Sequence, residues 1–100
     1  MSHHDDALIA RAKTVLPAGG FGNFEPNIFI EKGEGAYVWD SQGNRYIDYL
    51  IGSGPMLLGH GNEEVVDAVR EQLGKGMTFF ANNSAGLELA EEICRAVPCA

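Results

Sequence analysis

The sequence predicts an α+β fold: one helix, then a three-stranded antiparallel meander, then two helices. Apolar residues recur at helical spacing in three separate stretches. Aromatic and β-branched residues concentrate in residues 27–51, and turns containing glycine divide that stretch. The connections between its strands are too short for crossovers, so we expect neighbouring strands to run antiparallel.

The first helix is expected at residues 5–16. Asp5 or Asp6 can cap its N-terminus, where a carboxylate also interacts favourably with the helix dipole. Pro17 and the glycines that follow should end the helix. One face collects the apolar side chains Leu8, Ile9, Ala12, Val15 and Leu16.

The meander is expected to contain three strands separated by two turns. The strands are IFIE, AYVWD and RYIDYLI, and the turns are KGEG and SQGN. Asp48 is unusual among the apolar residues of the third strand, and we expect its carboxylate to accept a backbone hydrogen bond. A glycine-rich loop at residues 52–61, GSGPMLLGHG, follows the meander.

Residues 62–100 should form the last two helices. Asn62 is a plausible cap for the first of them, and either Asn83 or Ser84 for the second. Between the helices lie Phe79 and Phe80, and exposing this pair would be costly. We therefore expect other protein surface to cover it.

Composition and charge exclude several classes of function. Seven basic residues stand against fourteen acidic ones, for a net charge of −7, which disfavours a nucleic-acid partner. No apolar run approaches the roughly 20 residues of a membrane span, and the N-terminus lacks the pattern of a signal peptide. Cys94 and Cys99 do not form a CxxC pair, which favours reduced thiols in a cytoplasmic protein.

No self-contained catalytic set or metal site is evident in the sequence. His60 and the two cysteines are too dispersed for a zinc site, and a histidine between glycines is more often structural than catalytic. A dinucleotide-binding GxGxxG begins at Gly52 and Gly54, but Leu57 occupies the place of the third glycine.

One ordered pattern of glycines, aromatic residues and aspartates runs through the meander and the loop after it. It comprises Gly33, Gly35, Val38, Trp39, Asp40, Gly43, Tyr46, Ile47, Asp48 and then Leu58, Gly59 and His60. This pattern, G-x-G-x-x-[VL]-[WY]-D-x-x-G-x-x-Y-[IL]-D followed by L-G-H, resembles the N-terminal part of class III pyridoxal-phosphate aminotransferases. The flanking stretches RAKTVLPAGG and ELAEEICRAVPCA are similar to the glutamate-1-semialdehyde aminomutase-like branch.

The resemblance implies an α+β fragment of an α/β transferase of fold type I that depends on pyridoxal 5'-phosphate. Residues 1–61 would belong to its small domain, and residues 62–100 would lead into a large cofactor-binding domain beyond residue 100. The lysine that bonds the cofactor would also lie there, so the segment alone should be inactive. The family further implies a homodimer that transfers an amino group between an amine or amino acid and a carbonyl acceptor.

The resemblance also suggests which residues face the substrate. Two glycine-rich loops would do so, through Gly22 and Asn23 in the first and Ser53 and Gly54 in the second. The aminomutase loops read GGVNSPVR and GSWGP, whereas the corresponding stretches here read GGFGNFEPN and IGSGP. The first loop thus lacks the arginine thought to hold the substrate carboxylate, and Ser53 replaces a tryptophan.

These two departures favour ordinary transamination over action on glutamate-1-semialdehyde. The aminomutase reaction and an amino-acid racemase of the same family are the alternatives within the family. A non-catalytic binding or dimerisation module is the alternative of a different class.

Overall fold

The computed structural model describes residues 5–21 and 27–100. Its helices are α1 (Asp6–Val15), α2 (Glu63–Leu73) and α3 (Ser84–Ala96). Its strands are β1 (Ile30–Glu34), β2 (Tyr37–Asp40) and β3 (Arg45–Ile47), and short 3₁₀ turns lie at Pro17–Gly19 and Ile51–Ser53. The predicted order of one helix, a three-stranded antiparallel sheet and two helices is confirmed. The chain divides into two compact units, Met1–Val66 and Asp67–Ala100.

Helix α1 is capped by Asp5 rather than by Asp6. The Asp5 carboxylate accepts the backbone N–H of Leu8 at 3.1 Å, which satisfies a donor that the helix itself cannot pair. Its other oxygen accepts the hydroxyl of Ser41 at 3.2 Å, which ties the start of the helix to the end of β2. Pro17 follows the helix and begins the first 3₁₀ turn.

The sheet has the order β1-β2-β3 with both pairs antiparallel. Strand β1 begins and ends later than the predicted IFIE strand. It continues through Lys32, Gly33 and Glu34, which we had assigned to a turn. Gly33 pairs with Val38, and the Lys32 ammonium lies 4.8 Å from the centre of the Trp39 ring. Pairing with β2 therefore overrides the local preference of Gly33 for a turn.

Strand β3 is shorter than the predicted RYIDYLI strand and ends at Ile47. The reason lies in Asp48, whose carboxylate accepts the backbone N–H groups of Leu50 and Ile51. This side chain offers the backbone an alternative to the strand ladder and turns the chain away from the sheet. The expectation that Asp48 accepts a backbone hydrogen bond is confirmed.

The last two helices are capped by asparagines. The Asn62 side chain accepts the N–H of Val65 at 3.2 Å, and the Asn83 side chain accepts the N–H of Gly86 at 2.8 Å. Of the two residues proposed to cap α3, the structure thus selects Asn83, and Ser84 is the first helical residue.

Few side chains are buried in the described part of the chain. Ala12 and Asp40 form the buried set, and the apolar faces of α2 and α3 are exposed. Phe79 and Phe80 are exposed as well, so the described residues leave this pair uncovered. That other protein surface covers it stays a prediction. None of the described helices is long and apolar enough to cross a membrane.

Candidate functional site

The second glycine-rich loop is closed at its base by backbone hydrogen bonds. We call residues 48–60 the 48–60 loop, since it leaves the sheet at Asp48 and returns to it at His60. The Asp48 N–H donates to the Ala36 carbonyl at 2.9 Å. Gly35 and His60 exchange two backbone hydrogen bonds of 2.8 and 2.9 Å, as an isolated antiparallel bridge. The β1–β2 connection therefore holds both ends of the loop.

The 48–60 loop contains four consecutive residues in the left-handed region of backbone space. Their φ values are 47° at Ile51, 63° at Gly52, 64° at Ser53 and 116° at Gly54. Glycine accepts such angles readily, but Ile51 and Ser53 do not, and a β-branched residue with positive φ is a clear outlier. Strain of this kind persists only where the surroundings fix the conformation, and it clusters at functional sites.

The Asp48 carboxylate joins the start and the end of the loop. Its Oδ1 accepts the N–H of Leu50 at 3.0 Å and that of Ile51 at 2.9 Å, while its Oδ2 lies 2.6 Å from Nε2 of His60. The hydrogen bond from His60 lowers the pKa of Asp48 below its ordinary value, burial opposes this, and the two backbone N–H groups add to the lowering. Because an ionised carboxylate only accepts, Nε2 of His60 must carry a proton.

Two glycines make room for the His60 ring and its backbone. A Cβ atom placed on Gly33 would lie 2.5 Å from Cγ and 2.8 Å from Cβ of His60. A Cβ on Gly59, where φ is +83°, would lie 3.1 Å from the backbone of Gly35. These positions of the family pattern therefore allow a close approach of loop to sheet.

A shallow cavity of about 300 Å³ lies between the 48–60 loop and the β1–β2 connection. Asp48 and His60 provide its polar groups, and Ile51 and residues 56–58 provide apolar wall. The Asp48 and His60 side chains are hydrogen-bonded to each other, and Asp48 also binds the loop backbone. Gly35, Ala36 and Gly59 complete the lining.

The four residues predicted to face the substrate are placed as follows. Gly22 and Asn23 lie outside the described residues. Ser53 and Gly54 are exposed on the left-handed part of the 48–60 loop, and neither lines the cavity. The Asp48–His60 pair was missed by sequence reasoning, which treated each residue separately. A possible signal is the placement of both at the ends of one glycine-rich segment.

A second carboxylate, Asp40, organises the turn between β2 and β3. It accepts the N–H groups of Gln42 and Asn44, the side-chain amide of Asn44 and the hydroxyl of Tyr46, at distances between 2.8 and 3.3 Å. Burial raises the pKa of Asp40, but these hydrogen bonds outweigh it and lower the pKa to about 2. The D-x-x-G-x-x-Y part of the pattern is thus a turn organised by its own aspartate, with Gly43 at φ +82°.

The described residues do not themselves form a site for pyridoxal phosphate. Such a site needs a lysine amine free to bond the cofactor and held in a cavity. Lys13, Lys32 and Lys75 are instead exposed, and Lys32 and Lys75 pair with Glu34 and Glu71 at 2.9 and 2.5 Å. The described part of the chain also contains no cluster of His, Cys, Asp and Glu suited to a metal ion, and Cys94 and Cys99 are free.

Comparison with known proteins identifies relatives over most of the chain. The family model described as aminotransferase class-III matches residues 21–99. A curated relative from Thermus thermophilus, glutamate-1-semialdehyde 2,1-aminomutase, is 49% identical over an alignment 102 positions long, which covers 93% of this chain and 24% of the relative. A second one of the same name, from Neisseria meningitidis, is 41% identical over an alignment 104 positions long, which covers 96% of this chain and 24% of the relative.

Two solved transaminases share the fold of the chain. An omega-transaminase from Sphaerobacter thermophilus superposes with a TM-score of 0.85 at 28% identity, covering 93% of this chain and 22% of that protein. A β-phenylalanine aminotransferase from Variovorax paradoxus superposes with a TM-score of 0.83, also at 28% identity, covering 93% and 23%.

The chain spans about a quarter of the length of the curated relatives it matches. Within that span, the glycines and aspartates that close the 48–60 loop and the Asp40 turn are those of the family pattern. The fold is likewise that of transaminases of fold type I. On the match over residues 21–99, the chain belongs to the class III aminotransferase family.

Proposed function

We propose that this chain is the N-terminal portion of a pyridoxal-phosphate-dependent transaminase. The whole protein would transfer an amino group between an amine or amino acid and a carbonyl acceptor. The observation that carries this proposal is the family match over residues 21–99. The fold shared with an omega-transaminase at 28% identity supports it.

In this proposal the segment supplies the substrate side of the site and the cofactor is held elsewhere. Ser53 and Gly54 are exposed on a loop whose backbone is fixed by its surroundings, which suits a residue that contacts a ligand. Gly22 and Asn23 would contribute from the first glycine-rich loop. Residues beyond this segment would bind pyridoxal phosphate, so the segment alone would be inactive.

The domain assignment and the assembly are parts of the same proposal. Residues 1–61 would belong to the small domain, and residues 62–100 would lead into the large one. A homodimer in the cytoplasm is proposed for the complete protein. The exposed apolar faces of α2 and α3 and the exposed Phe79 and Phe80 would then pack against further protein.

The second candidate is the aminomutase reaction on glutamate-1-semialdehyde. Its support is the 49% identity to the relative from Thermus thermophilus that carries this name. Two residue changes weigh against it: no arginine lies between Arg11 and Arg45, and Ser53 stands where the aminomutase loop has tryptophan. A neutral or acidic side chain cannot replace the bidentate pair of a guanidinium with a carboxylate.

The test uses the full-length protein purified with pyridoxal phosphate. Bound cofactor absorbs visible light, and a productive amine donor should change that spectrum in a transaminase. A panel of amines, amino acids and glutamate-1-semialdehyde then separates the two reactions. A protein that stays colourless with added cofactor would contradict both. A protein active only on glutamate-1-semialdehyde would establish the second candidate instead of the first.

Ser53→Trp in the same protein tests the proposed role of Ser53. The large ring should narrow the site and lower kcat/KM for bulky donors more than for small ones. Tyr49→Trp is the matched control, since it places the same ring at an exposed position outside the left-handed run. Equal kinetics of Ser53→Trp and wild type with every donor would show that Ser53 does not line the site.

A further inference from the structure

We propose that Asp48 and His60 are positioning residues that hold Ser53 in its left-handed conformation and so fix the substrate side of the site. Neither would need to touch the substrate. The kinetic consequence rests on the proposed transaminase function, whereas the holding of the loop does not.

The left-handed run at residues 51–54 needs support from outside the run. Consecutive left-handed residues are disfavoured for L-amino acids, and the run at residues 51–54 contains two that are not glycine. Such a run persists only where the surrounding structure holds it.

The Asp48 carboxylate fixes the backbone where the left-handed run begins, at Leu50 and Ile51. The two amides it binds, those of Leu50 and Ile51, immediately precede or begin the left-handed residues. With both N–H groups on one oxygen, the chain is turned before it reaches Ser53. Inside the run, the carbonyl of Ile51 accepts the N–H groups of Gly54 and Met56 at 3.1 and 3.0 Å. The geometry at Ile51 thus governs the residues after it.

His60 holds the Asp48 carboxylate in the orientation that points Oδ1 at the backbone amides. Its Nε2 lies 2.6 Å from Oδ2, which leaves Oδ1 facing the backbone amides. The side chains of Asp48 and His60 are only 12% and 23% exposed, so water competes little for this hydrogen bond. A charge-assisted hydrogen bond in such a position is among the stronger polar contacts in proteins.

His60 is itself held against the sheet. Its backbone pairs with Gly35, and its ring lies where a side chain on Gly33 would otherwise be. The pair therefore connects three parts of the chain: strand β1, the end of β3 and the end of the loop. The loop conformation at Ser53 is transmitted from the sheet through two side chains.

The test compares His60→Phe and His60→Gln in the full-length, cofactor-loaded protein. Phenylalanine keeps an aromatic ring and removes the Nε2 donor, whereas glutamine keeps a side-chain N–H. Peptide-resolved hydrogen exchange should show the amides of Leu50 and Ile51 exchanging about tenfold faster in His60→Phe, as expected when one partly buried hydrogen bond is lost. His60→Gln should recover most of the protection. Asp67→Asn is the control, because it removes an exposed ion pair with Arg70.

The kinetic readout separates positioning from a merely structural role. His60→Phe should raise KM for the amine donor several-fold while the visible spectrum of the bound cofactor stays as in wild type, and His60→Gln should restore KM. A uniform rise in exchange that includes α3, or unchanged exchange at Leu50 and Ile51, would overturn the proposal. Equal KM in all variants would overturn its kinetic half.

The holding role of the pair can be tested even if the proposed function fails or if His60→Phe does not fold. If wild type shows no transaminase activity, the proposed function fails and the exchange measurement still decides whether the pair holds the loop. If His60→Phe does not fold, His60→Leu carries the same comparison with a smaller side chain. It also removes the Nε2 group that binds the Asp48 carboxylate. Faster exchange at Leu50 and Ile51 supports the proposal, and unchanged exchange overturns it.

Discussion

The turn at residues 40–46 and the 48–60 loop are each built around one aspartate, but the two carboxylates hold different kinds of structure. Asp40 takes its donors from residues that follow it within the same turn. Asp48 takes two donors from its own turn and a third from His60, which returns from the far end of a loop. The first is a local device, and the second depends on the sheet being formed.

This difference has a physical consequence for how each region responds to change. The hydrogen bonds to Asp40 should tolerate changes elsewhere, since all the donors to its carboxylate lie within six residues of it. The 48–60 loop should be sensitive to any residue that moves His60 away from β1. Substitutions in the 48–60 loop should therefore have larger effects than substitutions in the Asp40 turn.

Gly33→Ala should destabilise the protein by about 3 kcal/mol, the upper end of the cost of overpacking. The added methyl would lie 2.5 Å from Cγ of His60, close to the backbone, where the ring cannot simply rotate away. A denaturant titration of the full-length protein measures the free energy of unfolding. A loss below about 0.5 kcal/mol, a typical surface effect, would show that His60 is not pressed against β1.

Gly59→Ala and Gly43→Ala form a matched pair that sharpens the comparison. Both glycines have φ near +82°, but a Cβ at Gly59 would lie 3.1 Å from the Gly35 backbone, whereas a Cβ at Gly43 meets nothing within 4 Å. We expect the free energy of unfolding to fall by about 2 kcal/mol for Gly59→Ala and by about 1 kcal/mol for Gly43→Ala. The alanine at position 43 would cause backbone strain only, whereas the alanine at position 59 would also clash with the Gly35 backbone. The same titration measures both. Equal losses would mean that loop-to-sheet contact adds nothing.

These contrasts mark how far the sequence predicts the structure. The Asp40 turn can be predicted from the sequence, because its glycine and its polar residues are neighbours and turn chemistry is local. The helices can be predicted for the same reason, since their aspartate or asparagine caps and their apolar spacing lie within one stretch. The assignment of KGEG to a turn was wrong, because residues paired with β2 lie outside the window that a local rule inspects.

The 48–60 loop could be predicted only in outline. Its glycines and Pro55 indicate a loop, but nothing local predicts left-handed angles at Ile51 and Ser53, which both disfavour them. That conformation depends on Asp48, and Asp48 depends on His60, which contacts β1. The proposed site residue Ser53 was therefore identified by resemblance, while the pair that we propose to position it is visible only in the structure.

A smaller effect should appear only in acid and distinguishes the two carboxylates. The pKa of Asp40 is lowered to about 2, so its ionised form stabilises the fold above its ordinary pKa near 3.8, and this contribution is lost as the pH falls from about 4 to 2. Asp40→Asn removes that titration but leaves Asp48, whose lowered pKa acts in the same direction. Melting temperatures between pH 5 and 2 should therefore fall more steeply for wild type than for Asp40→Asn. Parallel curves would contradict the pKa assigned to Asp40.

The smallest expected effect concerns the tie between the Asp40 turn and α1. Ser41→Ala removes the 3.2 Å hydrogen bond to Asp5 but leaves the Asp5 cap on Leu8, so the loss should be about 0.5 kcal/mol, the low end for one hydrogen bond. Thr14→Ala is the control, because it removes an exposed hydroxyl bonded only to Arg11 within the same helix. If the turn is self-contained, loss of this tie leaves its hydrogen bonds intact, and amide exchange at Gln42 and Asn44 stays at the wild-type rate. A loss of 2 kcal/mol or more, with faster exchange at those two amides, would show that the turn depends on α1 and would remove the contrast with the 48–60 loop.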